Sequence, residues 1–487
     1  MTTLLVKARY VVGYADGDHV ILRDGEVVVD GNRITFVGRG YAGQVDRVID
    51  GGDAILSPGF IDLDALADID HAILDTWHGP ETGSGLSWSA DYFYNRRRDV
   101  FSAEDRDFKH AFAFTHLLRN GITTAMPIEA ETHNAWAETY DEMAIAAATA
   151  SDLGLRIYLG PSYRAGINVT EADGRHTVLF DEAEGWRGLA EAVRFVENFS
   201  PEADGLVRGA LLPCRIETLT PELMRATASE ARRLNAKVRL HCLQDLSELE
   251  FLRERYGKSP LDMLEETGLL EADLLIPHAT YVGGHSRNPN GDRGDLARLA
   301  KSGISIIHCP MTSLRYGVTL ESFARYRAAG VNIALGTDSF PPDMIRNMDV
   351  GVHLSKVVEG RQDGGSAADL FRAATLGGAA ALGRDDLGRL APGACADMVL
   401  VSLKEPRIGA IEDPIRTLLM NCTGANVTTV IIDGRVVMEN GVIPGIDEEA
   451  MRQRAQTYFD TMKAAYSERD YRRRPVEQLF PPEFPEG

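Results

Sequence analysis

Short runs of alternating apolar and polar residues open this chain and return near its end, and between them the period lengthens. Stretches 4–12, 20–22, 26–29 and 33–37 read as half-buried strands, with Asp24-Gly25 and Asp30-Gly31 placed as hairpin turns. The pattern recurs over 396–401, 427–432 and 435–437, so the two ends, 1–57 and 384–445, are expected to pair into one small β-sandwich. Over 58–383, apolar runs alternate with helical periodicity. The runs begin near Leu56, Ile122, Arg156, Leu206, Val238, Leu274, Ile304 and Asn332; the clearest helix is 221–235, opened by Pro221. Eight strand–helix units predict an α/β fold, a closed (β/α)8 TIM-like barrel over 58–383 rather than an open doubly wound sheet. No Gly-x-Gly-x-x-Gly follows the first strand to suggest a dinucleotide site. From 446 to 487 an amphipathic helix and a Pro-rich end predict a surface strap or an arm onto a neighbouring subunit, hence a homo-oligomer.

Composition narrows the class. The 487 residues suffice for a large core, and 44% hydrophobic with 25% charged content is that of a globular protein. A formal net charge of -21, with only short basic runs such as Arg472-Arg473-Arg474, argues against a nucleic-acid partner, whose phosphates most of the surface would repel. The five cysteines are widely spaced and form no CxxC pair, which fits a reducing cytoplasm without a disulfide framework. The start lacks the basic-then-apolar pattern of a signal peptide, and no apolar stretch reaches the roughly 20 residues of a membrane span. A soluble cytoplasmic protein with no membrane partner is expected.

Four segments bring polar chemistry to strand ends. They are Pro58-Gly59-Phe60-Ile61-Asp62-Leu63-Asp64-Ala65-Leu66, Leu240-His241-Cys242-Leu243-Gln244, Pro277-His278 and Leu335-Gly336-Thr337-Asp338. In a (β/α) barrel such ends share one mouth, where a metal is gathered from distant sequence. Asp64, His241, His278 and Asp338 would supply two imidazoles and two carboxylates, a donor set for one divalent ion. Zn²⁺ is the leading expectation, with Mn²⁺, Fe²⁺ or Co²⁺ as alternatives. Asp68, Asp70 and His71 stand near enough in sequence to supply another donor. His308, in His308-Cys309-Pro310, is read as shaping the pocket. The aromatic stretch 76–94, with Trp88, Tyr92 and Phe93, is read either as a lid over an apolar or aromatic substrate or as ordinary packing. Arg287, in the glycine-rich loop 283–291, is placed to meet a polar substrate group.

The order of these segments resembles the amidohydrolase superfamily, in the branch of cyclic-amidine deaminases, triazine hydrolases and phenylurea or thiocarbamate hydrolases. The resemblance runs from the opening strands to Val437. It implies that His241 is the fifth-strand metal ligand and that His278 binds the metal or polarises the substrate. Asp338 is implied to ligate the metal and to act as general base for the attacking water. Two departures stand out. The family's first strand ends in His-x-His, where this chain has Asp64 and Leu66; leucine cannot ligate, so Asp64 is expected to take over. The family's deaminases place a Glu three residues after the fifth-strand His. Here that position is Gln244, an amide that holds a substrate by hydrogen bonds but cannot relay a proton.

The resulting expectation is a metal-dependent hydrolase that cleaves an amide, urea or carbamate C–N bond of a small molecule. Asp338, His278 and Gln244 are the expected catalytic residues, and Gln244, His308, Trp88 and Arg287 the expected substrate contacts. Two rival readings stand beside it: an aminohydrolase or chlorohydrolase of an N-heterocycle, and a metal-free barrel acting as a binding protein.

Overall fold

The computed structural model describes residues 3–70, 72–76, 88–128, 136, 138–200 and 205–485. Eight parallel strands lie in two four-stranded sheets. β1 (Phe60–Ala65), β2 (Ile122–Pro127), β3 (Arg156–Leu159) and β4 (Val207–Gly209) form the first, side by side in chain order. β5 (Val238–Arg239), β6 (Leu274–Pro277), β7 (Ser305–His308) and β8 (Asn332–Leu335) form the second. Backbone contacts join the sheets at both sides. Leu211, just past β4, bridges Val238 of β5, and Asp338 N, just past β8, donates to Asp64 O of β1 at 2.7 Å.

Strand periodicity feeds two cores. Ile61, Leu63, Met126, Tyr158, Leu275, Ile307 and Ala334 pack together on one face, while Phe60, Ile122, Ala125, Ile157, Ile276, Ile306 and Ile333 pack on the other against the helices. The helix Pro221–Leu234 shows how the sequence sets a boundary. The Thr220 hydroxyl accepts from Leu223 N, Pro221 fits the first turn, and Asn235 ends it at φ +51°.

Both chain ends enter one hydrogen-bonded eight-stranded sheet. Thr3–Ala15 pairs antiparallel with Asp18–Asp30 and parallel with Ala54–Pro58, which is itself antiparallel to Met398–Ser402. The apolar run near Leu56 is therefore two strands: Ala54–Pro58 belongs to the terminal sheet, and β1 begins only at Phe60. Pro58 has no N–H to extend a ladder, and a Cβ on Gly59 would collide with Thr123, so the chain changes sheet at this pair. Asp24-Gly25 is not a turn either. Asp18–Asp30 runs through it with Asp24 at φ +50°, in unbroken register between the pairs Ala8↔Gly25 and Tyr10↔Arg23. The hairpin turns at Asp16-Gly17 instead, where both φ are positive at 52° and 85°.

At the other end Asp447 caps Glu448–Arg469, and the chain folds back to bury Leu479 and Phe480 near Tyr466, Tyr458 and Phe101. These tail residues pack against their own chain. Among the described residues no helix is long and apolar enough to cross a membrane.

Candidate active site

The strand ends converge because Asp62 ties two of them together. Its Oδ1 accepts from Thr337 N at 3.1 Å and its Oδ2 from the Thr337 hydroxyl at 2.6 Å, while burial pushes its carboxyl up to about 7. Gly336 permits the approach: a Cβ there would lie 2.5 Å from Asp64 Cβ and 3.0 Å from Cys309 Sγ. The chain then turns sharply. Leu243, His278, Ala279 and Asp338 take φ of +60°, +63°, +44° and +61°, conformations that cost non-glycine residues free energy and persist where neighbours impose them. Here His278 N donates to Ile307 O at 2.8 Å, and the Tyr326 hydroxyl donates to Ala279 O at 2.7 Å.

Asp64, His278, Cys309 and Asp338 each place one donor atom in a group whose members all lie within 4.8 Å of one another. His278 Nε2 is 3.8 Å from Asp64 Oδ2 and 3.8 Å from Asp338 Oδ2, and Cys309 Sγ is 3.6 Å from Asp64 Oδ2. The other Asp64 oxygen has different neighbours. His241 Nε2 and Arg239 Nη1 each lie 3.6 Å from Oδ1. His241 Nδ1 pairs with the Cys214 carbonyl at 3.0 Å. A carbonyl only accepts, so Nδ1 carries a proton and Nε2 is turned to Asp64. Arg239 Nη1 also donates to Met126 O at 2.8 Å and Pro127 O at 2.7 Å.

Burial drives the Asp338 carboxyl well above the usual carboxylate range, and the charge on Asp64 adds to the shift. Burial acts the same way on Asp64, but His241 and Arg239 outweigh it and hold that carboxyl down to about 2. Burial pushes His278 down to about 3, so its imidazole is neutral. His278 Nε2, turned to the Oδ2 atoms of Asp64 and Asp338, is buried with no hydrogen-bond partner among the described residues. Lone pairs buried face to face are costly unless a cation or proton lies between them. Carboxylate, imidazole and sulfur donors at these separations fit a divalent ion.

A pocket of about 410 Å³ opens beside His278 and is lined by Gln244, Arg215, Asp245, Thr280, Tyr281 and Arg287, among others. Arg215 Nη2 donates to Gln244 Oε1 at 2.5 Å, so the Gln244 amide nitrogen is the end left to donate to a ligand. Behind it, Glu248 accepts from Leu243 N at 2.7 Å and Gln244 N at 3.2 Å, and burial pushes its carboxyl up to about 8. It props the turn after His241.

The remaining expectations divide. Gln244 and Arg287 line the pocket, whereas His308 and Trp88 do not. His308 is buried beside Phe323 with ring centroids 6.0 Å apart, and burial pushes it down to about 4. Trp88 packs with Tyr92 and Phe93, centroids 5.6 and 5.8 Å away, under the Arg469 guanidinium at 4.6 Å. Both rings are buried against neighbouring side chains. Asp70 accepts from Phe340 N at 2.8 Å and steadies the loop after Asp338, and Asp68 lies 3.9 Å from Lys109 Nζ; neither joins the donor group. His71 and the lid stretch 77–87 lie outside the described residues. Arg239 and Cys309 went unread. Arg239 had a signal, since strand alternation sets it on the same face as His241.

The sequence model of the amidohydrolase family matches residues 55–437. The chain belongs to the amidohydrolase family. This amidohydrolase is a hydrolase of C–N bonds other than peptide bonds. It is 26% identical to the 5'-deoxyadenosine deaminase of Methanosarcina acetivorans over 469 residues, 95% of this chain and 99% of that one. It is 27% identical to the 5-methylthioadenosine/S-adenosylhomocysteine deaminase of Pelotomaculum thermopropionicum over 465 residues, 94% and 98% of the two. Among solved structures, an adenosine deaminase from Xanthomonas campestris with bound zinc matches at TM-score 0.76, with 22% identity, 94% of this chain and 98% of that one. An atrazine chlorohydrolase from Arthrobacter aurescens TC1 complexed with zinc matches at 0.74, with 22% identity, 94% and 100%. The amidohydrolase shares their fold.

Proposed function

We propose that this amidohydrolase cleaves the open-chain amide, urea or carbamate bond of a small molecule at the mouth of a closed (β/α)8 barrel, using one divalent metal ion. Gln244 carries the choice of bond. Its oxygen is committed to Arg215, so it presents N–H to the pocket. Asp245 is the one carboxylate among the described lining residues, and it is exposed and accepts from Ser247 N and the Ser247 hydroxyl. Among its described lining residues the pocket thus offers donors to a carbonyl and no buried carboxyl to protonate a ring nitrogen, the proton transfer on which amidine deamination depends.

Asp64, His278 and Asp338 would hold the ion, with Zn²⁺ first and Mn²⁺, Fe²⁺ or Co²⁺ as alternatives, and His241 set behind Asp64. A bound ion supplies Lewis acidity toward the carbonyl oxygen and the attacking water. Asp338 accepts the water's proton at its carboxylate and returns it to the departing nitrogen. Neutral His278 offers a lone pair without adding charge. Gln244 donates its N–H to a substrate heteroatom, and Arg287 meets a polar substituent further out. Arg239 keeps Asp64 ionised and aimed.

A second reading, an aminohydrolase or chlorohydrolase of an N-heterocycle, is favoured by the relatives, named as deaminases of deoxyadenosine and methylthioadenosine and as a chlorohydrolase of atrazine. Product analysis separates the two. Aryl amides, ureas and carbamates are assayed beside amino- and chloro-substituted pyrimidines, purines and triazines. Amine release from the open-chain set is the expected result; ammonia or chloride from the heterocycles alone assigns the second reading. A chain that takes up no metal and turns over neither set is a binding protein.

A further inference from the structure

We infer that Cys309 is itself a ligand of the metal site, a sulfur donor standing in for the donor that Leu66 cannot provide. The inference rests on the metal-dependent reading above. Leu66 is buried in the main apolar core. Cys309 follows β7 directly and is fully buried, and its Sγ lies 3.6 Å from Asp64 Oδ2 and within 4.8 Å of the His278 and Asp338 donors. Its other polar contact, to Ile307 O at 3.7 Å, is long even for a weak thiol donor. Independent of the thiol, His278 Nε2 is buried, has no hydrogen-bond partner among the described residues and is aimed into the same group. The separations suit the chemistry. Zinc bonds of about 2.0 Å to nitrogen or oxygen and about 2.3 Å to sulfur give tetrahedral edges of about 3.3–3.5 Å, close to the 3.6 and 3.8 Å seen. Gly336 makes the room, since any side chain there would press on both Asp64 and Cys309.

Charge supports the same assignment. On binding, the Cys309 S–H bond breaks heterolytically, a metal–sulfur bond forms and the proton leaves to solvent, with no change of oxidation state. Two carboxylates and a thiolate exceed the charge of a divalent ion by one. Arg239, 3.6 Å from Asp64, supplies the missing positive charge. A sulfur donor also moves the site's preference from Mn²⁺ toward Zn²⁺ or Co²⁺.

The test loads the full-length protein with Co²⁺ or Zn²⁺ alone. Wild type should show a thiolate-to-cobalt charge-transfer band in the near ultraviolet. X-ray absorption of the zinc form should place one sulfur at about 2.3 Å. Cys309→Ser should lose the band and bind metal at least about tenfold more weakly, while Cys422→Ser, remote from the site, should keep both. Metal bound to wild type with only nitrogen and oxygen neighbours overturns the inference and leaves the hydrolase reading standing; so does a band that survives in Cys309→Ser. Wild type that takes up no metal overturns both. If Cys309→Ser fails to fold, the sulfur count on wild type decides alone.

Discussion

The two oxygens of Asp64 live in different surroundings. On the Oδ1 side, β5 supplies Arg239 and His241, and the Arg239 guanidinium is pinned by the carbonyls of Met126 and Pro127. On the Oδ2 side, the ends of β6, β7 and β8 supply a neutral imidazole, a thiol and a second carboxyl. One side carries a permanent charge fixed by the covalent chain. The other gathers donors, and the Arg215 guanidinium of the pocket wall acts on His278 and Asp338 there by its charge. A carboxylate held ionised from behind is ready for a cation in front, and the chain achieves this without the family's first-strand histidines.

The largest effect should come from the front. Asp338→Asn removes the proposed base but keeps an oxygen donor, so turnover should fall by about 10³-fold while metal content persists. Undiminished turnover would move the base elsewhere and leave the Oδ2 side as a mere ligand set. Arg239→Met attacks the back. Removing one partner of a buried ion pair should cost about 3 kcal/mol of stability in metal-free protein, and added Zn²⁺ should restore part of it by taking over the compensation of Asp64. Denaturant unfolding with and without metal reads this out; equal losses in both would show that the two sides do not share a charge.

Asp64→Ala removes the residue common to both sides. Outer partners of metal ligands typically contribute 10–100-fold, so losing the ligand itself should weaken metal binding by at least about 100-fold, measured by competition with a chelator. Full affinity after this change would mean that the site is built without Asp64. Gln244→Ala lies on neither side and should act on substrate only, raising KM by an amount equivalent to about 1–2 kcal/mol with kcat nearly kept. A fall in kcat with KM unmoved would give Gln244 a part in the chemistry.

Much of this arrangement could be read from the sequence, because strand ends declare themselves. Period-2 apolar runs located the eight parallel strands, and polar residues at their ends singled out Asp64, His241, His278 and Asp338. The errors came where one local rule met a competing one. Pro58-Gly59 lies inside one largely apolar run, and the clash awaiting a Cβ at Gly59 reveals that the run serves two sheets. Asp24-Gly25 has turn chemistry, but pairing with Thr3–Ala15 on both sides keeps it in the strand. Cys309 lies past the end of β7, where strand alternation no longer dictates direction and the following turn does. For Trp88 and His308, residue type suggested a pocket while packing decided otherwise.

The terminal sheet bears on how the enzyme is made. Ala54–Pro58 pairs with Met398–Ser402, strands from opposite ends of the sequence. At ordinary rates of synthesis the first of these leaves the ribosome roughly tens of seconds before its partner. Through that interval the nascent chain displays an open strand edge, the kind of surface that templates association between copies. Pairing so distant in sequence is also slow to form. The newborn chain should therefore lean on chaperones until its last strands arrive, and crowding of half-made copies on one message is where its production is most exposed to aggregation.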